Sequence, residues 1–331
     1  MTGTGLAAEH FDKVAHYLAE GELVPLLGAG VNVCDRTDAE GYEYDHNLPS
    51  GRELSELLAA EYEYPADRDD RDDVLRVAQY AQSRLRQSEE EHRLRDSLHR
   101  IFRAHYGTTS VHRFLASVPA RTGTHILALT TNYDDALEQA FEAAGEPYSV
   151  VFYRASREGR CWLRHGGETE AEVIARPERS TAVSLHERSV ILKVHGAVDR
   201  DERRSFNDSD VISEDHYIDF LASTSLETLV PKSLLVPLLN SALLFLGYRL
   251  KDWNLRVILH ELWSSRDFGY PAWAVHRGVD DVDAAIWRSR HVALFDTRPV
   301  RVRRGPQRPA RQWPRPPVTA DGQDEHLPTR A

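Results

Sequence analysis

The 331-residue sequence has few cysteines and no long apolar run. Its two cysteines, Cys34 and Cys161, exclude a disulfide framework and a structural zinc site built from paired C-x-x-C motifs. The most apolar stretch, 234–246, is interrupted by a proline and two polar residues, and it falls short of the ~20 apolar residues that span a bilayer. Residues 1–8 lack a basic segment followed by an apolar one, so no secretory signal is expected there. These absences predict a cytoplasmic protein with no membrane segment.

Basic residues are also in the minority, and they are concentrated at one end. The chain has 52 acidic residues against 41 basic ones, a net charge of -11. Residues 301–331 hold seven arginines, three acidic residues and six of the sixteen prolines, so this segment carries +4 and the rest of the chain -15. An acidic body argues against a nucleic-acid surface spread over the whole molecule. The composition predicts a flexible tail at 301–331, either solvated or binding a partner or nucleic acid.

Six short apolar runs predict buried strands. They lie at 23–27, 126–129, 190–194, 242–246, 272–275 and 292–295. Continuous rather than alternating apolarity is typical of parallel strands that are covered on both faces. We therefore expect an α/β fold of the Rossmann-like, doubly wound type, with a mainly parallel six-stranded sheet. Between 148 and 188 the pattern alternates more and carries many charges, which predicts a variable loop or an antiparallel excursion.

Helical patterns fill the region between the first two predicted strands. Ser50 with Glu53, and Ser88 with Glu91, form capping-box pairs ahead of apolar residues at helical spacing. Similar spacing continues over 74–85 and 111–118, and a first helix is predicted near 11–18. We therefore expect an α-helical insertion at about 50–120 within a domain of residues 1–300.

Polar segments follow four of the predicted strands. In chain order these segments are Gly28-Ala29-Gly30-Val31-Asn32, Thr130-Thr131-Asn132-Tyr133-Asp134, His195-Gly196 and 247–254. In an open α/β sheet, ligands bind at the carboxyl ends of the strands. Each segment also has an ordinary interpretation on its own: a tight turn for G-A-G, a helix cap for Asn132, and a packing residue for His195. Their combination favours a shared binding site.

Taken in this order, the motifs resemble the sirtuin superfamily, and specifically the SIR2-like branch of bacterial anti-phage defence proteins. The similar segments are G-A-G-V-N from Gly28, L-P-S-G from Leu48, T-T-N-Y-D from Thr130, K-V-H-G from Lys193 and L-G-Y-R-L-K-D from Leu246. The segment 210–217 also resembles the strand and helix that follow the H-G motif in this branch. The resemblance runs from about Gly21 to Asp296.

This resemblance implies an NAD-binding domain in which the bond between nicotinamide and ribose is broken. It assigns Asn132 to the nicotinamide ribose and the attacking water, and His195 to general-base catalysis. The backbone N–H groups of Gly28, Ala29 and Gly30 are expected near the pyrophosphate. The other candidates for binding NAD are Asn32, Thr131, Asp134, Gly247, Tyr248 and Arg249. Among these, Gly247 and Tyr248 are expected near the adenosine half, and Asp134 is either an anchor behind the site or an acid at a helix N-terminus.

The cysteine count separates branches of this superfamily. Its protein deacylases carry a four-cysteine zinc module, which two cysteines do not provide, so no metal is expected. The favoured hypothesis is hydrolysis of NAD to nicotinamide and ADP-ribose by an NAD-depleting anti-phage effector. A non-catalytic NAD or ADP-ribose sensor is the alternative, because Asn32 and Arg249 replace the residues usual in the family. A nucleic-acid-processing subunit that uses the basic tail is a third hypothesis.

Depletion of NAD is toxic, so the activity needs control. We therefore expect control by self-assembly into a homo-oligomer or by a separate sensor protein, for which the resemblance makes a HerA-like ATPase subunit one candidate.

Overall fold

A nine-stranded, mainly parallel sheet forms the centre of the protein. The computed structural model describes residues 3–37, 40–87, 92–154, 161–198, 209–223, 225–248, 259–260, 262–264, 269–276 and 281–296. The strands are β1 (Leu23–Leu27), β2 (Leu127–Thr130), β3 (Tyr148–Tyr153), β4 (Cys161–His165), β5 (Glu172–Val173), β6 (Ser189–Lys193), β7 (Gly196–Ala197), β8 (Ser209–Asp210), β9 (Ala242–Leu246), β10 (Ala272–His276) and β11 (Val292–Asp296). The short strands β7 and β8 pair with each other outside the main sheet.

Strand order in the sheet is β11-β10-β9-β1-β2-β6-β3-β4-β5. From β11 to β3 all neighbours are parallel, whereas β4 and β5 add antiparallel strands at one edge. The chain leaves β1 toward β2 and returns later to place β9 on the other side of β1. The topological switch point therefore lies between β1 and β9, and a crevice for ligands is expected at this place in such sheets.

Helices cover both faces of the sheet and fill the connection between β1 and β2. They are α1 (Gly3–Ala19), α2 (Gly51–Glu61), α3 (Val74–Gln87), α4 (His92–Phe102), α5 (Ser110–Ala116), α6 (Val118–Thr122), α7 (Ala136–Ala144), α8 (Glu214–Ser223), α9 (Leu226–Leu229), α10 (Lys232–Leu239) and α11 (Asp281–Arg288). Alternate residues of a strand enter opposite cores: Leu26 packs in the core with Leu234 of α10, whereas Leu27 packs in the core with Phe141 of α7. Burial on both faces explains why these strands are apolar without alternation.

The predicted fold class is confirmed, and the sheet is larger than the predicted six strands. All six apolar runs form strands, and the three additional strands of the sheet are β3, β4 and β5. Every residue of β3 is buried, because β3 lies between β6 and β4 rather than at the edge of the sheet. The charges of 148–188 lie mostly outside these strands, and they hid a central strand within a segment that was interpreted as a loop or an excursion.

The predicted helical insertion is present as helices α2 to α6. The Ser50 capping box forms: the Ser50 hydroxyl accepts from the Glu53 N–H at 3.2 Å, and the Glu53 carboxylate accepts from the Ser50 N–H at 2.7 Å. Leu58, Val77 and Leu98, each from a different helix, meet in a core of their own. The insertion is therefore a packed helical layer and not an extended loop.

Some predictions fall on residues outside the described ranges. These are the tail at 301–331, the Ser88–Glu91 capping pair and the NAD-binding candidate Arg249. The division into a domain of 1–300 and a tail stays a prediction. None of the described helices has both the length and the apolarity needed to cross a bilayer.

Candidate functional site

The fold brings the first three polar segments, and Gly247 and Tyr248 of the fourth, to one edge of the sheet. Strands β9, β1, β2 and β6 are consecutive neighbours and run parallel, so their carboxyl ends lie side by side. Asn132 and His195 each lie two residues beyond the paired positions Thr130 and Lys193. The sequence segments that were predicted to share a site therefore follow adjacent strands around the switch point.

Glycines allow the loops after β1 and β9 to lie directly against each other. A Cβ atom at Gly30 would be 2.6 Å from the Gly247 Cα, and one at Gly28 would be 2.8 Å from the Gly247 oxygen. Gly247 itself has a φ of +72°, a left-handed conformation that other residues rarely adopt. The ring of Tyr248 is buried next to Gly28. These glycines are thus required by the contact between the two loops.

Two of the three amides that were expected to face the pyrophosphate are used by this contact. The Gly28 N–H donates to the Leu246 oxygen at 2.9 Å, and the Gly30 N–H donates to the Gly247 oxygen at 2.8 Å. The Ala29 N–H, in the first turn of a 3-10 helix over Ala29–Val33, has no acceptor among the residues that the structure describes. A phosphate-binding role for this loop stays a prediction, with Ala29 as its uncommitted donor.

Asn32 and Asp134 connect the β1 loop to the β2 loop. The Asn32 Nδ2 donates to Asp134 Oδ2 at 2.8 Å, and both side chains are buried. The other carboxylate oxygen, Asp134 Oδ1, accepts from the Ala136 N–H at the start of α7 at 3.1 Å. Asp134 therefore holds Asn32 and also lies at the N-terminus of α7, while its role behind an NAD site stays a prediction. The Asn32 Oδ1 is buried and accepts no hydrogen bond from a described residue.

Asn132 lies in the same loop and is held from two sides. Its backbone N–H donates to Thr130 Oγ1 at 3.0 Å, and its Nδ2 donates to the Gly28 oxygen at 3.3 Å. The side chain is 9% exposed, and its Oδ1 accepts no hydrogen bond from the described part of the chain. Thr131 follows Thr130 in the backbone and donates through its N–H to the Leu27 oxygen. Asn132 thus offers the second amide oxygen of the site, beside that of Asn32.

A buried ion pair between Lys193 and Glu138 lies behind the loop that follows β2. The Lys193 Nζ donates to Glu138 Oε1 of α7 at 2.7 Å. It also donates to the backbone oxygens of Asp134, at 2.5 Å, and Tyr133, at 3.4 Å. Burial raises the pKa of Glu138, an effect that Lys193 partly offsets. Burial alone would lower the pKa of Lys193, but the carboxylates of Glu138 and Asp134 outweigh it and raise the pKa. Lys193 therefore fixes the course of the β2 loop.

His195 is enclosed at the end of β6. Its side chain is 3% exposed, and the Tyr217 hydroxyl of α8 lies 3.0 Å from its Nδ1 and 3.3 Å from its Nε2. The rings of Tyr217 and Phe220 approach the imidazole edge-on, at 5.3 and 6.0 Å between centroids. Burial lowers the pKa of His195 to about 3. The imidazole is consequently neutral at physiological pH, and in this enclosed arrangement it is a weak base.

Sequence reasoning missed Tyr217, His112 and the role of Lys193. Tyr217 lies in a segment that the resemblance had singled out, but its contact with His195 joins residues 22 positions apart. His112 is buried in the capping box of α5, with its Nδ1 3.0 Å from Thr109 Oγ1. Burial lowers the pKa of His112, while Asp134 and Asp35 oppose the shift. The contacts of Tyr217 and Lys193 depend on tertiary pairing, for which a single sequence carries no signal, whereas the Thr109–His112 pair is local to the start of α5.

The arrangement fits a ligand that donates hydrogen bonds. Asn32 and Asn132 each use the amide nitrogen on the protein, which leaves the two amide oxygens as acceptors at the loops around the switch point. Hydroxyl groups of a sugar, a carboxamide or a bound water are donors of the required kind. Among the described residues, no group of three His, Cys, Asp or Glu side chains is arranged to hold a metal ion.

A parallel sheet with polar loops at its switch point defines a Rossmann-like, ligand-binding class of α/β protein. The family model described as SIR2-like domain matches residues 126–295, which is just over half of the chain. The chain therefore belongs to the SIR2-like domain family, as the motifs predicted. The matched segment contains Asn132, His195, Gly247 and Tyr248, whereas the Gly28–Asn32 loop precedes it.

A search of curated proteins finds no match to the chain. SIR2-like domains bind NAD, so family membership connects this chain with NAD-related chemistry in general.

Proposed function

We propose that the protein hydrolyses NAD to nicotinamide and ADP-ribose, as an NAD-depleting effector of anti-phage defence. The observation that carries the proposal is the placement of Asn132 and His195 just beyond the ends of the neighbouring strands β2 and β6 in a SIR2-like domain. The cysteine pattern supports hydrolysis over protein deacylation, because Cys34 and Cys161 do not form the four-cysteine module of the deacylases. Water is then the acceptor of the ribosyl group.

The reaction breaks the bond between C1′ of the ribose and the nicotinamide nitrogen. The electron pair of this bond passes to the nitrogen, so the cationic pyridinium leaves as neutral nicotinamide. A water oxygen bonds to C1′, and one water proton is released. The Oδ1 of Asn132 is an acceptor that can orient this water or a ribose hydroxyl without bringing a charge into the buried site. A neutral His195 can accept a hydrogen bond from the same groups.

Release of nicotinamide from NAD, followed by liquid chromatography, tests this function. The Asn132→Ala and His195→Ala variants are expected to lose at least about 100-fold in rate, because each removes a positioned polar group of the site. Asn240→Ala is the matched control: Asn240 is an exposed asparagine that precedes β9, at the opposite edge of the sheet. Undiminished release by the Asn132→Ala and His195→Ala variants would contradict the proposal.

A non-catalytic sensor of NAD or ADP-ribose is the second candidate. The enclosure of His195 favours it, because an imidazole with a pKa of about 3 is a weak base at neutral pH. Calorimetric titration with NAD, followed by analysis of the recovered nucleotide, separates the two candidates. Tight binding with complete recovery of intact NAD would favour the sensor, whereas recovery of nicotinamide and ADP-ribose would favour the hydrolase.

We further propose that the activity is controlled by assembly, as a homo-oligomer or with a separate sensor or HerA-like ATPase subunit. Light scattering of the purified chain gives its molar mass, and nicotinamide release is measured over a range of protein concentrations. We expect the rate per chain to rise with oligomer formation. A monomer that is fully active at every concentration would contradict control by self-assembly.

A further inference from the structure

Helix α8 connects His195 to the helical insertion. On one side of α8, Tyr217 and Phe220 enclose the imidazole of His195. The backbone of His195 is held as well, because its oxygen accepts from the Val211 N–H at 3.0 Å, just before α8. The orientation of the ring is therefore restricted by aromatic edges, and the Tyr217 hydroxyl lies within 3.3 Å of both of its nitrogen atoms.

Helix α3 of the insertion holds the N-terminal turn of α8. Arg76 pairs with Glu214 at 3.1 Å, and Arg86 pairs with Asp215 at 3.0 Å. The Asp215 N–H also donates to the Gln79 side chain at 2.9 Å. Exposed ion pairs are individually weak, and these three contacts together join the first turn of α8 to α3 of the insertion.

We propose that Tyr217 is a positioning residue that selects the tautomer of His195. A neutral imidazole carries one N–H donor and one bare nitrogen, and the hydrogen bond at one nitrogen decides the state of the other. The Tyr217 oxygen lies 3.0 Å from Nδ1 and 3.3 Å from Nε2, and the proposal assigns it as the acceptor of a proton on the nearer atom, Nδ1. In this tautomer Nε2 carries no proton and accepts a hydrogen bond from a ribose hydroxyl or from the attacking water.

This role rests on the proposed hydrolysis for its effect on rate, but the tautomer itself is measurable without turnover. Nitrogen-15 spectra of the full-length chain, with His195→Gln used to assign the signal, report which ring nitrogen carries the proton. We expect the Nδ1–H tautomer in the wild type and a shift toward Nε2–H in Tyr217→Phe. The near-isosteric phenylalanine keeps the aromatic edge and removes only the hydroxyl. Ile218→Ala is the control, because Ile218 is the next residue of α8 and is 63% exposed.

For NAD hydrolysis we expect Tyr217→Phe to lower kcat about tenfold with little change in KM, since one hydrogen bond that orients the base is lost. A wild type with the Nε2–H tautomer overturns the proposal, as does a Tyr217→Phe spectrum identical to that of the wild type. An unchanged kcat in Tyr217→Phe, measured in an active wild type, also overturns it. If the wild type releases no nicotinamide, the hydrolysis proposal fails, and the spectra still decide the role of Tyr217.

Discussion

The burial of His195 predicts how the stability of the protein changes with pH. The pKa of this imidazole is lowered by burial to about 3 in the folded chain, against an ordinary value near ~6.5 in the unfolded chain. Between these two values the unfolded chain binds a proton that the folded chain does not bind. His195 therefore contributes stability that is fully present above about pH 6.5 and is lost as the pH falls toward 3.

The size of this loss follows from the two pKa values. At pH 5 the unfolded imidazole is almost fully protonated and the folded one is not, so the loss relative to pH 8 is about 2 kcal/mol. Urea unfolding of the wild type and of His195→Gln at pH 8 and pH 5 measures it, because glutamine does not titrate and can still hydrogen-bond to Tyr217. His10 and His112, whose pKa values burial also lowers, are present in both proteins and cancel in the comparison.

We expect the wild type to lose about 2 kcal/mol more than His195→Gln between these pH values. Equal losses would refute the reasoning, because they would mean that His195 titrates in the folded chain near its ordinary pKa and is open to solvent.

Two further predictions concern the supports of the site, and both are measured by urea unfolding. Lys193→Met should lower the free energy of unfolding by about 3–5 kcal/mol, because it leaves the buried Glu138 without its cation. Combining Lys193→Met with Glu138→Leu should restore most of this free energy. If the double variant is no more stable than Lys193→Met, the ion pair is not the cause of the loss. Gly247→Ala should cost about 2 kcal/mol, because its φ is +72° and its Cβ would meet the Gly30 backbone. Gly107→Ala, where the added Cβ has no atom within 4 Å, is the control, and equal costs for the two glycines would contradict the proposed loop contact.

The parallel part of the fold could be predicted from the sequence because burial on both faces leaves a direct record in composition. The run Leu23–Leu27 is apolar at every position, and both of its faces pack into cores. The strand Tyr148–Tyr153 is equally buried, but the charged residues that follow it hid this pattern. A continuous apolar run therefore identifies a buried strand only where the neighbouring residues in the sequence are not rich in charge.

The candidate site was predictable in its location but not in its contacts. Strand ends and short motifs placed Asn132 and His195 at one edge of the sheet, where the topology brings them together. The pairing of Asn32 with Asp134 and the contact of Tyr217 with His195 depend on side-chain directions that a single sequence does not encode locally. The amides of Gly28 and Gly30 illustrate the same limit, because the motif predicts a phosphate contact while the fold uses them to join two loops.

The position of the helical insertion has a consequence for folding. The hydrogen bond from Asn32 to Asp134 joins residues 102 positions apart, and that from Asn132 to Gly28 joins residues 104 positions apart. Closing a loop of about 100 residues costs roughly 2 kcal/mol more in chain entropy than closing one of about 10 residues. Compact helices shorten the effective distance between β1 and β2 and so lower this entropy cost. Folding of the insertion therefore favours the pairing of the two strands that carry the halves of the candidate site.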